Sequence, residues 1–220
     1  MGGVGGGPLP AKKEAFQNMF ADRVLELLAP LGYSKKVNES TGEKVLVLAV
    51  DGGLNVVKPL ISKLRNGAYE ANIDIDITYK DVQEITNNFG LCGDWVTCNI
   101  NLELLMQKER HYKMATRSEF EAMLFDAKVM VPDFLEKVST RKGLALLMTG
   151  DEFPVFRDRI RRYYIGSCLV VSSLAGLQNF DEIVEVLRQK GAVRWTTPPS
   201  KDLRENFEQL VAHLRAGATV

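Results

Sequence analysis

The sequence is poor in the residues that build metal and redox sites. It contains three cysteines, Cys92, Cys98 and Cys168, and two histidines, His111 and His213. A sparse and odd cysteine count does not indicate a disulfide framework, and the separation of Cys92 from Cys98 is not a usual zinc spacing. We therefore predict small buried thiols in a reducing compartment, and hence a cytoplasmic, intracellular protein.

An excess of charge and a long apolar run are also lacking. Lys plus Arg number 28 and Asp plus Glu number 28, so bulk electrostatic binding to nucleic acid or to a membrane surface is not expected. The chain has no run of about 18 apolar residues, which argues against a membrane-spanning helix. Neither nucleic acid nor a membrane is therefore a predicted partner.

What is present is typical of a globular domain. The chain has 220 residues and 45% hydrophobic residues, enough to bury a core without disulfides. Residues 1–10 are rich in glycine and are predicted to be a flexible tail. Residues 11–43 are predicted to form a helix and a loop packed on the domain, and residues 44–220 an α/β domain.

Hydrophobic periodicity gives the predicted elements. The continuous apolar run 45–50 is typical of a strand buried on both faces, whereas 72–80 and 95–102 alternate with period two, as in strands with one wet face. Further strands are predicted at 143–149, 167–173 and 192–196. Helices are predicted at 13–30, 55–65, 116–140 (divided by Pro132), 154–164, 180–190 and 201–215.

Strands alternate with helices in the second half of this order, which is typical of a parallel sheet with right-handed crossovers. The predicted fold class is α/β, a three-layer Rossmann-like arrangement. It has a mostly parallel central sheet of about six strands, one antiparallel edge strand, and helices on both faces. Ligands of such sheets bind beyond the carboxyl ends of the strands. That edge would collect Asp51, Gly52, Gly53, Asn55, Thr149, Asp151 and Ser172.

The turn Asp51-Gly52-Gly53 is the most informative segment of that predicted edge. It follows a predicted buried strand and precedes a predicted helix, whose N-terminal N–H groups would suit an anion. The carboxylate of Asp51 would instead suit a cation. A purely structural alternative is that Asp51 caps the helix. The glycine spacing does not match the dinucleotide-binding fingerprint.

The element order and this turn resemble the von Willebrand factor A domain, over roughly residues 44–215. The metal motif of that family, Asp-x-Ser-x-Ser, corresponds to Asp51, Gly53 and Asn55, and the stretch from Leu144 to Glu152 looks like the fourth strand of the family. The resemblance implies a metal site of Asp51, Asn55 and Asp151, with Mg²⁺ as the ion. Because Gly53 has no side chain and Asn55 offers only a carbonyl, that site would be degenerate.

A second resemblance is shorter. Asp74, Asp76 and Thr78 fit the Asp-x-Asp-x-Thr pattern of haloacid-dehalogenase-like phosphatases, in which the first aspartate is a nucleophile. The two aspartates alternate within a predicted strand and no apolar run precedes them, which favours a polar face of a sheet.

Two functions follow as predictions. The first is a protein-interaction module of von Willebrand A-like type, which binds a protein partner through the edge described above and needs no cofactor. The second is a Rossmann-like enzyme that acts on a nucleotide or phosphoester held at the Asp51-Gly52-Gly53 turn, with Asp51 or Asp151 as the acid or base. The sequence leaves the choice open, favours the first, and does not predict the oligomeric state.

Overall fold

A computed structural model describes residues 9–39, 41–91, 96–107, 112–152, 154–195 and 201–217. The predicted tail falls mostly outside these ranges, and the proposed domain boundaries stay a prediction. The described parts of the chain group into two compact units. Unit 1 comprises Met1–Ala49, Asn55–Ile75 and Ile100–Glu136, and unit 2 comprises Val50–Leu54, Asp76–Asn99 and Lys137–Val220.

The sheet has six strands, as predicted in number, but all of them are antiparallel. The predicted mostly parallel, Rossmann-like sheet is therefore wrong. The strand order is β1-β2-β3-β4-β5, and β6 pairs with β4. The strands are β1 (Ser34–Val37), β2 (Lys44–Val50), β3 (Gly53–Lys63), β4 (Tyr69–Tyr79), β5 (Cys98–Asn101) and β6 (Tyr112–Met114).

The error begins at the predicted strand-to-helix turn. Two residues, Asp51 and Gly52, join β2 directly to β3, and Asp-Gly between two apolar segments is a strong hairpin signal. The segment predicted as a helix at 55–65 is strand, with Asn55, Val57 and Pro59 all buried on one face. Pro59 cannot donate a ladder hydrogen bond and is uncommon in an interior strand, so its position in β3 could not be expected from its residue type.

The alternating segment 72–80 was predicted correctly and forms most of β4. The burial of β4 also alternates through Tyr69, Ala71 and Ile73, which are buried, while the residues between them are half-buried. Asp76 lies on this strand and accepts a hydrogen bond from Asn99 Nδ2 at 2.7 Å. The Asp-x-Asp-x-Thr pattern therefore lies inside a strand and not at its end.

The nine helices assigned in the described chain include several that were predicted as strands. Residues 143–149 belong to α5, residues 167–173 to α7, and 192–195 to the end of α8. A short apolar run fits a buried strand and a buried helix equally well. The helices are α1 (Lys13–Leu28), α2 (Lys80–Asn88), α3 (Leu102–Leu105), α4 (Arg117–Lys137), α5 (Arg141–Thr149), α6 (Pro154–Tyr163), α7 (Ile165–Leu174), α8 (Phe180–Trp195) and α9 (Lys201–Arg215).

The core of unit 1 is built where α1 and α4 meet the sheet. The Phe16 ring makes edge-to-face contacts with Tyr69 at 4.6 Å and with Phe120 at 5.2 Å, and Phe20 contacts Phe120 at 5.7 Å. Such pairs add to the free energy gained by burying the rings themselves. The predicted helix at 13–30 is confirmed, and its last residues, Ala29–Leu31, form a 3₁₀ turn.

α4 runs without a break through Pro132, so the predicted division of this helix is wrong. Its N-terminus is a reciprocal capping box. Glu119 accepts hydrogen bonds from the backbone N–H of Ala115 at 2.7 Å and of Thr116 at 2.9 Å, and its own N–H donates to the Thr116 hydroxyl at 3.3 Å. The N–H groups of Ala115 and Thr116 hold the pKa of Glu119 below its usual value.

Unit 2 is centred on α7. The side chains from Ile165 to Ser172 are all buried, and α7 packs against α2, α5 and α8. Cys168 lies within this buried segment, and Cys98 is buried on β5; neither forms a disulfide. Cys92 lies outside the described residues. No helix in the described part of the chain is both long enough and apolar enough to cross a membrane.

Candidate functional site

Asp51 and Gly52, the predicted start of the site, form the tip of the β2–β3 hairpin. Gly52 has φ +71°, a left-handed conformation that favours glycine. A Cβ atom on Gly53 would lie 2.3 Å from the carbonyl oxygen of Thr78, so this position has no room for a side chain. Because a strand follows the turn, no helix N-terminus lies there to bind an anion.

Arg141 is the charged group that meets this hairpin tip. A Cβ atom on Gly52 would lie 2.2 Å from Arg141 Nη2, and the same nitrogen forms an ion pair with Asp81 Oδ2 at 2.8 Å. The guanidinium also lies over the ring of Tyr79, at 5.2 Å from its centroid. Arg141 therefore links the hairpin tip to α2 and to the start of α5, within unit 2.

Tyr79 is fully buried beneath this guanidinium. Its hydroxyl donates a hydrogen bond to the Val138 carbonyl at 3.0 Å. Burial raises the pKa of Tyr79 to about 12; Arg141 lowers it, whereas Cys98, Asp51 and Asp81 raise it. The hydroxyl therefore stays protonated at neutral pH and is committed to a backbone carbonyl, which is a structural arrangement and not that of an acid or base.

The other predicted site residues of unit 2 do not gather at the hairpin tip. Arg141 begins α5 and Thr149 ends it, so eight helical steps separate their Cα atoms by about 12 Å along the axis. The Thr149 hydroxyl donates to the Ala145 carbonyl within the helix, and Asp151, whose side chain is 94% exposed, pairs with Arg157. Ser172 was predicted to end a strand but is buried inside α7.

Asn55 was predicted as a metal ligand and lies instead in the interior of unit 1. It is completely buried beside Tyr33, whose exposure is 4%. Burial raises the pKa of Tyr33 above its usual value, and the nearby Asn55 amide counters part of that effect. Neither the Tyr33 hydroxyl nor the two polar atoms of Asn55 makes a hydrogen bond of good geometry with the described residues.

The three residues of the proposed metal set, Asp51, Asn55 and Asp151, lie in different environments. Asn55 is buried, whereas both aspartates are exposed, and Asp151 is paired with Arg157. Among the residues that the structure describes, no group of three or more His, Cys, Asp or Glu side chains could hold a metal ion. Within the residues that it describes, the structure therefore adds no support for the predicted Mg²⁺ site, which stays a prediction.

A surface that sequence reasoning missed lies between α1 and α4 in unit 1. A groove of about 280 Å³ separates the two helices. Arg23 crosses it and pairs with Glu121 at 3.1 Å, and its guanidinium also lies 3.6 Å from Glu26. The groove walls include Arg23, Glu26, Leu27, Glu121, Phe125 and Lys128.

The outer face of α4 beside this groove is apolar. Phe125 is 67% exposed and Val129 is 55% exposed, the first being the most exposed of the large hydrophobic residues described. Ala122, exposed, and Pro132, half-buried, continue the same line along the helix. We call Ala122, Phe125, Val129 and Pro132 the outer stripe.

The signal for the outer stripe was present in the sequence. Its members are spaced at i, i+3, i+7 and i+10, which places them on one face of a helix. A second set of apolar residues on α4 faces the core: Phe120, Met123, Leu124, Ala127, Val131, Phe134 and Leu135. A helix with apolar residues on two faces can pack either face on the core, and only the tertiary structure reveals which set remains exposed.

The structure does not have the parallel sheet on which the von Willebrand A resemblance depended, so that resemblance has no support in the fold. Comparison with protein-family models, with curated proteins and with solved structures finds no match to this chain.

Proposed function

We propose that the chain is a protein-interaction module that binds a protein partner through the outer stripe of α4 and the adjoining α1–α4 groove. The observation that carries the proposal is the exposure of Phe125 and Val129 one helical turn apart. Contiguous exposed apolar surface on a folded domain often marks a binding site. A helix face of this kind fits the mode in which an amphipathic partner helix lies along a groove.

The energetic argument is one of burial. Full burial of a Phe or Val side chain stabilises by about 1.5–3 kcal/mol. Phe125 and Val129 are each more than half exposed, so a partner that covers both would gain on the order of 2–3 kcal/mol from these two side chains. Aromatic residues such as Phe125 are enriched at the centres of interfaces, and polar groups such as Glu121 and Lys128 are typical of the surrounding rim.

The alternative enzyme gains no support from the described residues. A phosphoester bound at Gly52 would need the N–H groups of a helix start, and a hairpin occupies that position. The described histidine, His213, makes a tilted ring contact with Phe89, with ring centroids 5.2 Å apart. The carboxylates of Asp81 and Asp151 are each paired with an arginine.

The test places a photoreactive benzophenone amino acid at position 125 of the full chain, in its native cells. Leu146 is the matched control, since it is an apolar side chain on a helix and is 52% exposed. We expect a discrete protein adduct from position 125 and none of the same mass from position 146. Identical adducts from both positions, or no adduct from position 125, would refute the proposal.

A further inference from the structure

We infer that the partner of the outer stripe is a second copy of this chain, with the two α4 helices packed antiparallel about a two-fold axis. This inference rests on the proposed function and specifies its partner. It is carried by the arrangement of charge beside the stripe. A two-fold interface must be complementary to itself, because each subunit presents the same patch.

The stripe sits between two flanks of different charge. Successive residues of an α-helix are about 100° apart, which places Glu121 and Lys128 on the groove side of Phe125 and Asp126 on the opposite side. The groove side carries both signs, with Arg23 and Lys128 against Glu26 and Glu121. Asp126 instead accepts a hydrogen bond from the Tyr112 hydroxyl at 2.7 Å.

An antiparallel two-fold pair sets each flank against the same flank of the other copy. The groove flank can satisfy this condition because it is mixed in sign. Glu121 and Lys128 lie two helical turns apart, about 10.5 Å along α4. If the axis passes between Leu124 and Phe125, Glu121 of each copy lies opposite Lys128 of the other. The axis relates two symmetric ion pairs, and the Phe125 rings meet near it.

The antiparallel pair would give Lys128 an ion-pair partner that it lacks among the described residues of a single chain. Its side chain is exposed and forms no ion pair within the part of the chain that the structure describes. Glu121 is already held by Arg23 and, at 3.9 Å, by Arg117, so it is positioned in advance for the Lys128 of a second copy.

A parallel pair is disfavoured by the same charges. In a parallel two-fold pair, the groove flank of one helix faces the opposite flank of the other. Glu121 would then approach Asp126 of the second copy, and like charges in such positions weaken pairing. The charge pattern therefore specifies the direction of the helices as well as the partner.

The first test is sedimentation equilibrium of the full chain and of two single variants. Phe125→Asp should raise the dimer dissociation constant at least about 30-fold, as loss of a central aromatic anchor does. Leu146→Asp is the control and should leave it unchanged, because Leu146 is also more than half exposed but lies on α5. A wild-type chain that remains monomeric up to about 1 mM overturns the inference.

The second test addresses the antiparallel register. Lys128→Glu should weaken the homodimer, and so should Glu121→Lys, because each variant sets like charges across the axis. An equimolar mixture of the two variants should form a heterodimer, since both ion pairs are then restored. Far-ultraviolet circular dichroism checks that each variant is folded. Heterodimers no tighter than either homodimer would overturn the register.

The results separate this inference from the function on which it rests. If position 125 cross-links to a different protein while the wild-type chain remains monomeric, the second-copy inference fails and the protein-binding function stands. If position 125 gives no adduct and the chain is also monomeric, both fail. An adduct of twice the chain mass that disappears in Lys128→Glu supports both.

Discussion

Replacing Asn55 with leucine should stabilise the protein, although it removes a polar residue. Asn55 lies in β3 with no exposed surface, and neither polar atom of its amide makes a hydrogen bond of good geometry with the described residues, although the Tyr33 hydroxyl lies nearby. Leucine has the same branching of heavy atoms as asparagine and needs no partner. Tyr33→Phe is the companion variant, because it removes the neighbouring unpaired hydroxyl without adding volume.

The magnitude follows from the cost of burying an unpaired polar group. Mutational data place that cost at about 1–3 kcal/mol for an amide or hydroxyl. Asn55→Leu should raise the free energy of unfolding by about that amount, reduced by any strain from the larger methyl groups. For a chain of about this length, 1 kcal/mol shifts Tm by about 2–4 °C, so the expected rise for Asn55→Leu is at most about 2–12 °C before strain is subtracted.

The assay is urea unfolding followed by circular dichroism, with thermal melts in parallel. Asn55→Ala serves as the control for cavity formation and should be less stable than Asn55→Leu. Both Asn55→Leu and Tyr33→Phe should raise the urea midpoint. If both variants instead lower the free energy of unfolding by more than about 1 kcal/mol, the two groups are hydrogen-bonded in the native protein and the reasoning is wrong.

Two further predictions concern the hairpin and its neighbour Tyr79. Gly52→Ala should lower the free energy of unfolding by about 1–2 kcal/mol because of the left-handed φ, since the Arg141 side chain can move away. Gly53→Ala should lower it more, because the carbonyl oxygen of Thr78 that it would meet belongs to the backbone. Urea unfolding of the two variants tests this order. Burial keeps Tyr79 protonated, so the stability that depends on it is complete below its ordinary pKa of about 10 and is lost as pH rises towards about 12. In Tyr79→Phe, the free energy of unfolding measured with urea should therefore fall less steeply as the pH rises. A slope against pH equal to that of the wild type would contradict the prediction.

The helices at either end of the chain and the alternating strands were predictable because their signals are local. The period-two pattern of 72–80 requires only neighbouring residues, and β4 follows it. The helices at 13–30, 154–164, 180–190 and 201–215 were also correct in type. Periodicity and capping residues act within a few turns of chain, so sequence alone carries this information.

The apolar runs at 143–149 and 167–173 were predicted wrongly for a physical reason. Burial on all sides removes the amphipathic pattern that separates a helix from a strand, and α7 is buried along most of its length. The same error led to the wrong prediction of the strand direction. A parallel sheet was inferred from helices placed between strands that are not strands, whereas the Asp51-Gly52 hairpin signal was local and pointed to antiparallel pairing.

The sequence by itself determined that the chain has no charge excess, enough apolar residues for a buried core, and a mixture of helices and strands. Only the tertiary structure decided which apolar side chains remain uncovered. Phe125 and Phe120 lie on the same helix and have the same chemistry, yet one is 67% exposed and the other 1%. The difference arises because α1 packs on one face of α4 and leaves the other open, a contact between residues about 100 positions apart.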